Sequence, residues 1–264
     1  MAKIERLNKT ELVEYCKGIG IETKGIGKNI LMEEAQKYGD TEIQQAIEAG
    51  KGYDLLTEKM EVLAEEYANN LNSKIANRKE EMKADDNSHY LIYRVLGITT
   101  TEGQLIDEYQ NTGRFLYKYA GSFLEDAASL CLKFKNVDGG KTLVKNNHGQ
   151  RPKTFEIDFL DGNNAIEIKW RDATTDGDHI TKEHTRVKSI ESHGHVPIRV
   201  MFYYPQRKQA IQIQATLKTI YEGVKGQYYG GEEAWDFIKN YSGYNLKEIL
   251  TKIADKRTPK DGVK

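Results

Sequence analysis

The stretch from Thr154 to Arg171 constrains the fold more than any other part of the chain. Two runs of β-forming residues, Thr154–Leu160 and Ala165–Arg171, flank Asp161-Gly162-Asn163-Asn164. Gly and Asn tolerate positive φ, so the four residues predict a tight hairpin. A hairpin centred between Gly162 and Asn163 pairs residues whose numbers sum to 325, whether its loop holds two residues or four. Because strand side chains alternate, this register sets Phe155 against Trp170, Ile157 against Ile168 and Phe159 against Ile166 on one apolar face. The other face sets Asp158 against Glu167 and Glu156 against Lys169.

Like charges directly opposite each other destabilise a sheet, so Asp158 and Glu167 need compensation. A divalent metal supplies it. Two carboxylates and a strand carbonyl, that of Ile168, are the hard oxygen donors Mg²⁺ prefers, and the ion keeps water and substrate phosphate in its other positions. Lys169, one pleat along, would point at the same place, where it could orient a water and share charge developing on a phosphate. Glu-x-Lys occurs three times, at Glu22-Thr23-Lys24, Glu81-Met82-Lys83 and Glu167-Ile168-Lys169, and only the third sits on a strand with a partner acid. The competing reading is an exposed hairpin with a Glu156–Lys169 salt bridge of little energetic weight. It leaves Asp158 and Glu167 unexplained.

The rest of the chain supplies helices around this hairpin. Thr10 can N-cap a helix carrying Leu12, Val13, Tyr15 and Cys16, which Gly18-Ile19-Gly20-Ile21 stops, and a second helix follows from about Lys28 to Tyr38. A long helix is expected from Tyr53 to about Lys83, ended by Asp85-Asp86-Asn87-Ser88, and another from about Gln104 to Phe134, with Phe115, Tyr119, Phe123, Ala127, Leu130 and Phe134 at helical spacing. After the hairpin, Asp178 would cap a helix from His179 to Ser192. Val196–Tyr204 reads as a strand buried on both faces, and Lys208–Tyr221, Glu232–Asn240 and Leu246–Ile253 read as helices. The expectation is an α/β core, a mixed sheet flanked by helices, with extensive helical decoration at the N-terminus. Residues 1–50 would form a small helical element, and 51–264 a main domain with its working core at about 110–225.

The chain of 264 residues carries 39 Lys and Arg against 40 Asp and Glu. Such a balance gives no overall basic footprint for a polyanion. It hides a polarised distribution, since residues 133–153 hold six Lys or Arg and one acid, a local charge of +5. No run approaches the roughly 18 apolar residues of a membrane helix, and the charged N-terminus lacks an apolar signal region. Cys16 and Cys131 show no metal or disulfide spacing, which suits a reducing cytoplasm. His179, His184, His193 and His195 lack the spacing of a zinc site, and Asp172, Asp176 and Asp178 do not match a calcium loop.

Asp158-x8-Glu167-x-Lys169, preceded by a helix and followed by helix and strand, resembles the core of the PD-(D/E)XK nucleases, the fold of most type II restriction endonucleases. The resemblance implies that Asp158 and Glu167 bind Mg²⁺ and that Lys169 assists the water. The usual Pro before the Asp is replaced by Ile157. A further acid on the preceding helix is common in that family, and Glu125 in Gly121-Ser122-Phe123-Leu124-Glu125 is the candidate. The segment from Glu167 to His184, with Ile198–Pro205, resembles the ApaLI-like restriction endonucleases, which implies a palindromic GTGCAC target. A palindrome calls for matched half-sites and so for a homodimer acting on double-stranded DNA. Arg171, Thr174, Thr175, Lys182 and Arg186 follow the catalytic strand and are expected to face DNA, where Arg and Lys suit guanine or phosphate and Thr suits either. Arg207 and Lys208 could grip phosphate. The N-terminal helix, link and helix resemble a SAP-like module, a family that commonly binds DNA. A repair or junction-resolving nuclease of the same fold, or a non-enzymatic SAP-type DNA-binding protein, are the rival functions.

Overall fold

The computed structural model describes residues 4–37, 43–171 and 177–258. They group into two compact units, one running to Glu61 and taking up the chain again from Ile249, the other spanning Val62–Glu248. The boundary expected near residue 50 falls inside an unbroken helix.

In the first unit, α1 (Lys9–Gly18) and α2 (Lys28–Gln36) are followed by the start of α3 (Ile43–Lys83). The cap of α1 is Asn8 rather than Thr10. Asn8 Oδ1 accepts from the Glu11 amide at 2.9 Å and Glu11 reaches back to the Asn8 amide, a capping box of the kind that stabilises a helix by about 1 kcal/mol. Ile4, Leu7, Leu12, Tyr15, Cys16, Leu31, Ala35 and Ile47 close around one another as the unit's own core. α3 begins ten residues before the expected Tyr53, because Gly50 and Gly52 lie inside it and do not break it.

The second unit holds the sheet. After α4 (Tyr90–Val95) comes α5 (Thr100–Lys135), opened by a Thr99–Glu102 capping box. Five strands follow in spatial order β1-β2-β3-β4-β5: β1 (Gly140–Lys145), β2 (Thr154–Asp161), β3 (Asn164–Arg171), β4 (Val196–Tyr203) and β5 (Gln227–Gly230). β1, β2 and β3 run antiparallel in turn, whereas β3, β4 and β5 are parallel. The crossovers between the parallel strands are α6 (Gly177–Ser192) and α7 (Lys208–Gly223); α8 (Glu232–Ser242) follows β5, and α9 (Leu246–Arg257) belongs from Ile249 on to the first unit. The fold is thus mixed α/β, a five-stranded mixed sheet flanked by helices, compatible with a restriction-endonuclease-like architecture.

Successive residues of β4 show how the sheet is covered. Phe202 packs against Trp235 of α8, while Arg199, on the opposite face, meets Glu183 of α6. α5 and α8 therefore cover one face and α6 and α7 the other. Six consecutive residues of β4, Pro197–Phe202, are buried, as its apolar run implies. Among the described residues no helix is long and apolar enough to cross a membrane.

The hairpin turns on Gly162, whose φ of +56° needs the freedom of glycine, and Phe159–Ile166, Leu160–Ala165 and Asp161–Asn164 pair in the expected register. The β2–β3 ladder then stops. Ile157 and Phe155 keep their partners Thr142 and Val144 on the β1 side but are not paired with Ile168 and Trp170 on the β3 side. This corrects the expectation that the two strands face each other along their whole length.

Candidate active site

Asp158 on β2, Glu167 and Lys169 on β3, and Glu125 on α5 come together where β2 and β3 part. Lys169 Nζ lies 2.7 Å from Glu167 Oε1, 3.6 Å from Asp158 Oδ2 and 3.7 Å from Glu125 Oε1. Had the ladder continued, the Ile168 amide would have bonded to a β2 carbonyl. It donates instead to Asp158 Oδ2 at 2.7 Å, so the carboxylate occupies the place of a backbone acceptor.

Asp158 is 6% exposed and Glu167 2%. Charges so buried persist only when paired. Burial, reinforced by the neighbouring Glu167, pushes the Asp158 carboxyl above its ordinary value, against the pull of Lys169 and the Ile168 amide. Burial likewise raises Glu125, with Lys169 opposing. For Lys169 burial acts downward, but Glu167, Asp158 and Glu125 together outweigh it and hold the amine above its usual value. The three carboxylates thus favour the ammonium form of Lys169, which donates hydrogen bonds.

Behind this group lies a second row of charges. The Arg186 guanidinium, on α6, pairs with Glu167 Oε2, donates to the Glu156 carbonyl at 3.2 Å and meets Glu183 Oε1 at 3.2 Å. Glu183 Oε2 in turn accepts from Arg199 at 3.2 Å and from the Tyr221 hydroxyl at 3.0 Å. Arg199 and Tyr221 are completely buried. The order Glu167, Arg186, Glu183, Arg199 alternates in sign from the strand edge into the core, which is how buried ions are kept compensated.

Several sequence expectations meet different surroundings. Glu156 is 3.7 Å from Lys141 of β1, not beside Lys169, so the Glu156–Lys169 bridge does not form. Arg186, expected to face DNA, is turned inward because two buried carboxylates compete for it. Arg171, Lys182, Arg207 and Lys208 are exposed, Arg171 lying over Trp170 and Tyr117 at 5.5 and 5.4 Å from the ring centres. Thr174 and Thr175 lie outside the described residues. Glu183, Arg199 and Tyr221 were not singled out from the sequence. Their signal was an arginine in the middle of an apolar strand, which can be buried only with an acid beside it.

Among the described residues no three Asp, Glu, His or Cys side chains form a metal cage by themselves. Mg²⁺ does not require one. It is ordinarily bound by one or two carboxylates, with water and substrate phosphate completing its octahedron. Asp158 and Glu167 are the two carboxylates that would serve in that way. The Ile168 amide faces Asp158, and a strand residue's amide and carbonyl leave the same edge, so the Ile168 carbonyl is turned to the same gap.

The family model for ApaLI-like restriction endonucleases matches residues 32–255, most of the chain and the whole sheet. No curated protein and no solved structure matches it. On the extent of that match, the chain belongs to the ApaLI-like restriction endonuclease family.

Proposed function

We propose that this chain is a Mg²⁺-dependent type II restriction endonuclease with a PD-(D/E)XK active site. It would hydrolyse phosphodiester bonds in double-stranded DNA at a short palindrome, GTGCAC on the resemblance, and act as a homodimer. The observation that carries the reading is the convergence of Asp158, Glu167 and Glu125 on Lys169 at the fork between β2 and β3. Family membership supports DNA as the substrate class and site-specific hydrolysis as the reaction class.

Asp158, Glu167 and the Ile168 carbonyl would hold the ion, which when bound supplies Lewis acidity toward a phosphate oxygen and lowers the pKa of a water. The protein's own groups do the positioning. Lys169, an ammonium fixed by three carboxylates, donates a hydrogen bond to the attacking water or to a phosphate oxygen and offsets the charge gained in the transition state. Glu125, with its pKa raised, completes the acidic wall against which Lys169 is oriented. Arg186 fixes Glu167 from behind. Exposed Arg171, Lys182, Arg207 and Lys208 are the candidates for phosphate and base contacts, with Thr174 and Thr175 on the sequence argument alone.

Incubation with plasmid DNA, with Mg²⁺ and then with EDTA, tests the reading. Discrete fragments that EDTA abolishes are expected. Plasmid left intact under every condition would overturn it, and cutting of branched DNA without sequence preference would reassign the chain to repair. Sequencing the fragment ends gives the recognition site.

A further inference from the structure

The segment from Tyr90 to Tyr117, α4 and the first half of α5, carries far more apolar surface than its own packing uses. Among its described residues Tyr90 is the one large apolar side chain that is buried. Nine others, from Leu91 to Tyr117, are 48% to 74% exposed. At on the order of 100 Å² for each half-exposed large side chain, this surface exceeds what a monomer ordinarily leaves bare. It matches the roughly 800 Å² that each partner gives to a standard interface.

The exposed residues of α5 form a continuous stripe. Leu105, Tyr109, Gly113, Leu116 and Tyr117 recur at intervals of three and four and so share one side of the helix. Gly113 sits in the middle of it. An added Cβ there would meet nothing within 4 Å, so no neighbour in the chain requires the glycine. A mid-helix glycine is nonetheless costly beside alanine, and its usual justification is a second backbone coming close. At its far end the stripe reaches Tyr117, whose ring packs 5.7 Å from that of Trp170, next to Lys169.

Composition identifies the kind of partner. From Tyr90 to Tyr117 there is no lysine, and Arg94 and Arg114 are the whole of the Lys and Arg content. DNA phosphates and anionic lipid need clustered basic residues, which this face lacks. Aromatic and aliphatic residues with Arg present and Lys absent are instead the composition of a protein interface core.

We infer that the face formed by α4 and the Leu105–Tyr117 stripe of α5 is the surface through which two copies of this chain associate, with the α5 helices approaching closely at Gly113. The inference rests on the proposed cutting of a palindrome, which needs a two-fold axis and hence one patch meeting itself. An apolar stripe satisfies that condition without any charge pairing. It would place each Trp170, and the Lys169 beside it, near the partner.

Sedimentation velocity on the full chain tests this. The wild type is expected to sediment as a dimer, and Tyr109→Lys to raise the dissociation constant by on the order of 100-fold, with the far-ultraviolet dichroism unchanged. Gly113→Ala is the sharper variant. It adds a better helix former in open space, so the monomer should unfold at higher denaturant while the dimer weakens. A purely structural role for Gly113 would not separate those two effects. Should Tyr109→Lys fail to fold, Tyr109→Cys with a short bismaleimide decides, because Cys16 and Cys131 are buried. A covalent dimer from this variant, and none from Lys218→Cys on α7, is expected. Dimers that persist unaltered in Tyr109→Lys and Gly113→Ala, or cross-link equally at both positions, would place the interface elsewhere and leave the dimer reading standing. A wild type that stays monomeric with and without a palindromic duplex would overturn both.

Discussion

Arg186 rests on Glu167. The guanidinium of a crossover helix neutralises the innermost carboxylate of the candidate active site, and Glu183 holds it there from the other side. That contact links the helix expected to face DNA with the strand that carries Glu167 and Lys169.

Replacing Arg186 with Met leaves buried Glu167 with Lys169 alone and Glu183 with Arg199 alone, and breaking a buried pair costs about 3–5 kcal/mol. Urea unfolding should show a loss of that order. The charge's direction also has a signature in DNA binding. A phosphate contact, when removed, lowers the salt slope of binding by about 1. Arg186→Met is expected to leave the slope unchanged, whereas Arg171→Ala or Lys182→Ala lowers it. A slope that falls in Arg186→Met would return Arg186 to the DNA interface.

Asp158→Asn should abolish cleavage and, in the absence of metal, stabilise the fold by roughly 1 kcal/mol. Burial and Glu167 already disfavour its charge, so the neutral isostere removes a cost. The wild type should gain thermal stability as Mg²⁺ is titrated, because an ion that binds only the folded state shifts the equilibrium by mass action. Differential scanning calorimetry reads both effects. An equal Mg²⁺ shift in wild type and Asp158→Asn would remove Asp158 from the metal site.

His89 pairs with Asp107 across α4 and α5 at 3.0 Å, and that hydrogen bond raises the imidazole above its ordinary value of 6.5. Its folded-state pKa exceeds its unfolded one. Its contribution is therefore fully present below about 6.5 and is lost as the pH climbs through the raised value. In an NMR titration the His89 midpoint should lie above 6.5 and fall back in Asp107→Asn. The same midpoint in both proteins would mean that the pair does not exist in solution.

Both cysteines should be inert to thiol reagents until the protein unfolds. Cys16 is fully buried, and burial pushes the Cys131 thiol up to about 12, leaving almost no thiolate at neutral pH. Two thiols titrating in denaturant and none in buffer is the expected count, and a fast-reacting thiol in the native state would contradict it.

The hairpin register next to the turn was legible in the sequence because the turn at Gly162-Asn163 and the alternation of residues are local, whereas the point at which the ladder stops, short of Asp158 and Glu167, was not. Also legible were β4 and the starts of α2, α7, α8 and α9, where the apolar period is clear. β1 was not legible. As an edge strand it buries Val144 and exposes its lysines, so the lysine-rich stretch hid its alternation. β5 is four residues long and buries only Tyr228, too little pattern to detect. The pairing of Arg186 with Glu167 and Glu183 was not legible, because a cation's local sequence does not show which acids the crossover brings to it. The distance from Glu125 to Lys169 is likewise a property of how α5 packs on β3, and only its plausibility could be read from the chain.

The fork between β2 and β3 divides the site into a fixed half and an adjustable half. Glu167 and Lys169 stay in register with Arg199 and Met201 of β4 along an unbroken parallel ladder. Asp158 belongs to the part of β2 that is paired with β1 on one edge and unpaired with β3 on the other. Changes in the β1–β2 connection can therefore reset the spacing of the two acids while the lysine and its carboxylate stay anchored. The backbone is in effect left unzipped at the point where the proposed function would admit a phosphate.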